Sequence, residues 1–483
     1  MATKAQKVTA LRRGAVLVFA LGALAAGGWI VHALRLRSAV LGGLPAPPDA
    51  SGLPRAFAEQ LDAARRDAGG LFGPIEGLRS LSRLYHANGF YDEALQCYQA
   101  LRRLEPKEAR WPHLEAAILA QFGRMDEARA REAVATVLAP RYLAARLRLG
   151  DELLKSNQTK AAFSSYEEAL KIAPDDPYAS LGEAKCNITD GKWEAARESL
   201  DGAIRKHPDF VGALELQVTV AEHFGDQAAA DTLNQLIGTR EFVDLPDPWL
   251  DGLMDDCFDA YRLSVAATVA NFSGNRPRAE RLLERALALA PNTGAFQREL
   301  AVFLSNDGDF AGARSHLEKA VALAPGDNDA WLLLYQLLAR MGEAQAASRA
   351  LSDGLANCPL SASLRLERGR RLMAAGLVDE AIAEFREAYR LKPSEAGPLV
   401  ELARALFAAR RGDEAVDALH EALKRQPEEP MALATLTFYS ISTGDEQAAL
   451  GWWAHVRRQP RTPQPMLDSL RQAYQQRFGR PLP

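Results

Sequence analysis

The chain has 483 residues, a length that by itself allows three ordinary domains. Lysine and arginine total 58 against 62 aspartates and glutamates, a balance that gives no support to nucleic-acid binding or to a polybasic membrane surface. An apolar fraction of 48% suits packed helices and excludes wholesale disorder. The four cysteines (Cys97, Cys186, Cys257 and Cys358) form no CxxC pair, which removes the metal and redox motifs built on that spacing.

Residues 1–13 are basic, with Lys4, Lys7, Arg12 and Arg13. Residues 14–34 then carry no formal charge, and a helix of that length spans about 30 Å, the thickness of a bilayer core. Trp29 sits near one edge, as interfacial aromatics do. The basic residues ahead of the span predict a cytoplasmic N-terminus, a single-pass inner-membrane helix and a body in the periplasm. A cleaved signal peptide is the alternative, since Ala23-Leu24-Ala25 has the small-x-small form. Residues 35–54 hold prolines and glycines in SAVLGGLPAPPDASGLP and are predicted to form a semi-extended tether.

Beyond a lead-in helix over 54–68, the prolines set a rhythm. Pro106, Pro140, Pro174 and Pro208 are spaced by 34 residues, and so are Pro291, Pro325, Pro359, Pro393 and Pro427. Between Pro208 and Pro291 lies room for one further unit and 15 extra residues. Residues 362–395 show the unit cleanly. Leu366, Gly369 and Leu372 mark one helix face, and Gly376 ends that helix in a left-handed turn. Asp379 is expected to cap a second helix, on which Ala381, Phe385 and Ala388 form a stripe. Pro393 closes the unit. The same turn offset holds Gly89, Gly123, Asn157, Gly191, Gly274, Gly308, Gly342 and Arg410, and the small position holds Ala94, Ala128, Ala162, Ala196, Ala279, Ala313, Ala347 and Ala415. Units at 211–244 and 430–463 bring the total to about eleven. Residues 464–483 are predicted to form a capping helix and tail.

These residues resemble the tetratricopeptide repeat (TPR), through Trp331-x2-Leu334, Leu149-Gly150, Ala162-x3-Tyr166-x7-Pro174 and Ala381-x3-Phe385-x7-Pro393. The resemblance covers about 75–463. It implies an all-α, right-handed superhelical solenoid of helical hairpins in which each hairpin buries its stripe only against its neighbours. The expected blocks are 55–237 with five repeats, an insertion at 238–259, and 260–463 with six.

The resemblance also implies that first helices line a concave face that binds a peptide or protein segment. In the early repeats the inner positions supply Arg79, Arg83, Arg110, His113, Lys155 and Lys185, with Arg148 adjacent, and Asp151 as the acid among them. This is a basic groove suited to an acidic partner segment or a C-terminal carboxylate. The lysine/asparagine carboxylate clamp of chaperone-binding members is not reproduced by Asn187 and Asn271. In later repeats Glu367/Arg370 and Glu401/Arg404 neutralise one another.

The insertion GTREFVDLPDPWLDGLMDDCFD is acidic. It holds Glu241, Asp244, Asp247, Asp251, Asp255, Asp256 and Asp259 against Arg240, with Trp249 beside a Pro246/Pro248 bend. It is expected to contact the basic groove or to present Trp249 to a partner. A plain spacer between two blocks of repeats is the other reading. Its acids lack calcium-loop spacing, and no HxxxH, HExxH, GxxxxGK[ST] or GxSxG occurs. No cofactor, metal or catalytic residue is therefore expected. The chain reads as a membrane-tethered interaction scaffold for envelope assembly. Two alternatives are a cytoplasm-facing assembly scaffold and an accessory subunit of an envelope enzyme such as a glycosyltransferase or redox complex.

Overall fold

A computed structural model describes residues 27–49, 52–238, 245–459 and 462–482. Their chain contacts divide into two units, one of residues 27–230 and 245–289, the other of residues 231–238 and 290–482. All regular structure among the described residues is helical. In the first unit, α1 (27–41) and α2 (Arg55–Ala68) precede hairpins α3/α4 (Pro74–Ala87, Tyr91–Leu104), α5/α6 (Arg110–Gln121, Met125–Leu138), α7/α8 (Leu143–Lys155, Thr159–Ile172) and α9/α10 (Pro177–Thr189, Trp193–Lys206). Helix α11 (Val211–His223) follows, and α12 (Gln227–Ile237) begins in this unit and continues into residues of the second. The insertion then supplies α13 (Pro248–Asp251) and a 3-10 turn (Gly252–Asp256), before the hairpin α14/α15 (Ala260–Phe272, Arg276–Leu289). The second unit continues with five hairpins between Gly294 and Val456 and ends in α26 (Gln464–Phe478).

The hairpins form for the reasons the pattern gives. The small-position alanines, from Ala94 to Ala449, are all at most 1% exposed, so the paired helices approach over a methyl group. Each closing proline is the second residue of a tight turn between hairpins, as in Asp176 N to Ala173 O at 3.1 Å and Glu395 N to Lys392 O at 3.2 Å. Its fixed φ pre-sets that turn. Asp379 does not cap its helix. Leu377 holds the cap position without a side-chain bond, and Asp379 lies in the first turn, where its charge meets the positive end of the helix dipole.

Helix-to-helix turns need a left-handed residue, and two of them are not glycine: Asn157 (φ 57) and Arg410 (φ 58). A residue with a Cβ loses roughly 1–2 kcal/mol there, while glycine loses about 0.5–1 kcal/mol more chain entropy on folding. Arg410→Gly is therefore expected to stabilise the second unit by about 0.5–1 kcal/mol, read as a raised denaturation midpoint. Asn157→Gly should gain less, because asparagine tolerates this conformation.

Aromatic wedges fix the stacking. The Tyr166 ring, 1% exposed, lies against Gly150 of its own hairpin and Gly182 of the next. A Cβ on Gly150 would sit 2.6 Å from Tyr166 Cε1, and one on Gly182 closer still. Phe385 fills the same place against Gly369. The four cysteines are free and buried. Burial pushes the Cys97 thiol up to about 12 and Cys186 to about 11, and it raises Cys257 and Cys358 as well.

The N-terminal segment corrects one expectation. Residues 14–26 of the expected span lie outside the described residues. Among those described, no helix is long and apolar enough to cross a membrane. Residues 35–54 are not a free tether over their described length. Helix α1 runs through residue 41, and Val40 is fully buried. Arg37 Nε donates to Gly69 O at 2.7 Å, and Arg65 Nη1 to Pro45 O at 3.2 Å. Gly43 makes the docking possible, since a Cβ there would stand 2.5 Å from the Ala100 Cβ. Trp29 packs on Phe72, with ring centroids 5.4 Å apart.

Candidate functional site

Helices α3, α5, α7 and α9 present the basic residues read from the sequence, and the described part of the insertion lies on the first three. Asp247 is 2% exposed, and its carboxylate collects three partners from two hairpins. Its Oδ2 accepts from Arg148 Nε at 2.7 Å and His113 Nε2 at 2.9 Å, and its Oδ1 accepts from Tyr142 OH at 2.7 Å. The Trp249 ring stacks on Tyr142 at 3.5 Å between centroids and meets His113 edge-on at 5.3 Å. Trp249 N donates to Tyr142 OH at 3.0 Å.

Nine residues on, the pattern recurs on the first hairpin. Arg83 Nε donates to Asp256 Oδ2 at 2.8 Å. The Asn88 side-chain amide holds the backbone at both ends: Nδ2 donates to Asp256 O at 2.9 Å, and Oδ1 accepts from Phe258 N at 2.6 Å. The Phe258 ring lies edge-on to Phe57, 5.9 Å away. From the other side, α15 holds the same stretch. Arg278 binds Asp251 through its carbonyl (2.7 Å) and carboxylate (3.0 Å), and Arg285 donates to the carbonyls of Met254, Asp255 and Cys257.

The structure thus brings Arg83, His113 and Arg148 to the insertion's acids and sends the other groove residues elsewhere. Arg79 pairs with Glu76 and Glu105, and Arg110 with Glu108. Both are neutralised within their own repeats. Lys155 and Lys185, exposed, line a cleft of about 200 Å³ with Asp151, Tyr166, Tyr178 and Leu245. Of the insertion's acids, Asp255 has an exposed side chain, and Asp259 caps α14. Glu241 and Asp244 lie outside the described residues. Asn88 was not among the residues read from the sequence. Its signal is a polar residue immediately before the Gly89 turn, where its side chain projects off the end of the inner helix.

The electrostatics at Asp247 are those of a buried, over-determined pair. Both ring nitrogens of His113 face carboxylates, Asp247 and Glu132 (Nδ1 to Oε1, 2.6 Å), so both must carry protons and the ring is an imidazolium. Burial opposes that charge, but the two acids outweigh it and raise His113 to about 9. Burial likewise opposes the Asp247 charge, and His113, Arg148 and Tyr142 overcome it, so Asp247 is lowered. Burial raises Glu132, and burial with the nearby Glu132 charge raises Glu152 to about 8.

These directions set a pH window. The His113 contribution is complete below about 6.5 and is lost as pH rises through about 9. The Asp247 contribution is present above about 3.8 and is lost as pH falls below that value. Amide exchange over residues 246–251, corrected for intrinsic rates, is expected to be slowest between about pH 4 and 6.5. It should accelerate as pH rises from about 6.5 to 9 and again in acid, while the α8 amides change less.

Two tetratricopeptide-repeat family models match the chain, one over 153–215, 305–362 and 372–437, the other over 80–142 and 266–328. No curated protein matches. Among solved structures, yeast Tom70 is similar at 15% identity over 83% of this chain and 94% of that one, with a TM-score of 0.39. YrrB, described as a TPR protein with an unusual peptide-binding site, is similar at 19% identity over 36% and 90%, with a TM-score of 0.29. MamA of Desulfovibrio magneticus RS-1 is similar at 17% identity over 35% and 96%, with a TM-score of 0.30. These structural likenesses carry no argument about function.

Proposed function

Because the chain belongs to the tetratricopeptide-repeat family, we propose that it is a non-catalytic scaffold that binds an acidic segment of a partner protein along α3, α5 and α7. The observation that carries this reading is the fit of Asp247 and Asp256 to Arg148, His113 and Arg83, which defines an acid-accepting surface on the inner helices. The free lysines of the cleft beside Leu245, Lys155 and Lys185, extend that basic surface among the described residues. Residues 14–34 supply the membrane span and the basic residues before it keep the N-terminus cytoplasmic, which leaves the repeats in the periplasm to organise an envelope complex.

The test is a tag fused after Pro483, read by protease access in spheroplasts and by in-cell proximity labelling. Cleavage of the tag with labelling of envelope proteins is the expected result. Protection of the tag with labelling of cytoplasmic proteins would overturn the topology and favour a scaffold facing the cytoplasm.

A further inference from the structure

We infer that residues 245–258 are an internal copy of the groove's ligand, and that the partner segment is a peptide built on acid-x-aromatic elements that displaces them. The inference deepens the proposed function and rests on its premise that the groove binds a protein segment.

The argument starts from a repetition inside the insertion. Asp247-Pro248-Trp249 and Asp256-Cys257-Phe258 are the same element, an acid two residues before an aromatic. Each is received in the same manner. The acid meets a cation of an inner helix: Arg148 and His113 for the first, Arg83 for the second. The aromatic meets an aromatic of the body, Tyr142 at the start of α7 for Trp249 and Phe57 of the lead-in helix α2 for Phe258. A side chain binds the backbone amide of the aromatic residue: Tyr142 OH takes Trp249 N, and Asn88 Oδ1 takes Phe258 N.

This triple reception is how a surface reads a ligand. The backbone bonds ignore sequence, and the charge and ring contacts select it. Nothing in the hairpin pattern requires it, because the small-position alanines and the Tyr166 wedge stack the helices without it. Arg83, Asn88 and Tyr142 bond to the insertion, and His113 bonds both to it and to Glu132 of its own hairpin.

A tethered copy acts at a high effective concentration, on the order of millimolar for short connections. It therefore lowers the apparent affinity for any free segment by the fraction of molecules in which the groove is empty. Opening the groove in cis should restore the affinity.

The probe is a fluorescein-labelled peptide of residues 245–259, titrated against the full-length chain by anisotropy. The unaltered chain is expected to bind it weakly. The Trp249→Ala, Asp256→Asn, Phe258→Ala chain should bind at least about tenfold more tightly. Adding Arg83→Gln and Asn88→Ala to that chain should return binding to the weak level. A peptide with Asp247 and Asp256 changed to asparagine should bind no better than background.

A folded triple variant, with helical circular dichroism intact, that binds no tighter than the unaltered chain would overturn the inference. So would melting of α3–α8 when the segment is loosened, because the insertion would then be core rather than ligand. Trp249→Ala alone decides that point. Hydrogen exchange should rise over 246–258 and stay slow in α4 and α8, and a rise throughout the unit refutes the inference. Peptide binding in vitro with no labelled envelope partner in the cell would leave this inference standing and remove the proposed function. Labelled partners with no peptide binding would do the reverse.

Discussion

Asp247→Ala should cost the first unit about 3–5 kcal/mol, the usual loss when one member of a buried ion pair is removed. The alanine takes the shared carboxylate from the part-exposed Arg148 and from the buried His113 imidazolium, with Glu132 as the acid that remains on His113. It also strands the Tyr142 hydroxyl that Asp247 accepts. Urea denaturation followed by circular dichroism gives the loss, and an NMR titration of His113 should show its value falling from about 9. Asp247→Asn keeps an oxygen for Tyr142 and should cost less, about 2 kcal/mol. Combining Asp247→Ala with Arg148→Met should cost less than the sum of the two, since both changes remove the same Arg148–Asp247 ion pair.

Tyr166→Ala should destabilise by about 3–5 kcal/mol, the loss of a fully packed aromatic together with the cavity left behind. Gly182→Val alone should cost about 1–3 kcal/mol through overpacking, because its Cβ would run into the same ring. The two changes occupy one space, so the double variant should be more stable than additivity predicts. A strictly additive pair would mean that the wedge between Gly150 and Gly182 does not set the spacing of the hairpins. The comparison uses denaturant midpoints of the three variants and the parent.

The hairpins were legible in the sequence because everything that makes them is local. A turn residue, a small residue and a proline recur within 34 positions, and Asn157 and Arg410 stood at the turn offset even without being glycine. The docking of the insertion was legible only as charge complementarity. Asn88 and Asp256 are separated by 168 residues, and no periodicity reports which end of an inner helix a distant segment will reach. Asn88 makes its contact through an amide that reads backbone, so no charge marks it, only its place before the Gly89 turn. His113 was read as an exposed groove residue, yet it is fully buried, because Asp247 and Glu132 enclose a ring that would otherwise line the surface. The segment at 35–54 misled through its composition. Proline and glycine usually mean a spacer, but Gly43 is small because it lies on Ala100.

The burial of all four thiols turns the protein into its own unfolding recorder. Their raised values leave little thiolate at neutral pH, and the thiolate is the form that reacts with alkylating agents. The folded chain should therefore resist maleimides, and modification should begin only where local structure opens. Cys97, Cys186 and Cys257 belong to the first unit and Cys358 to the second, so mass spectrometry after a brief alkylation pulse would time the opening of each unit separately. Cys257, between Asp256 and Phe258, would report the release of the insertion from its groove without any added label.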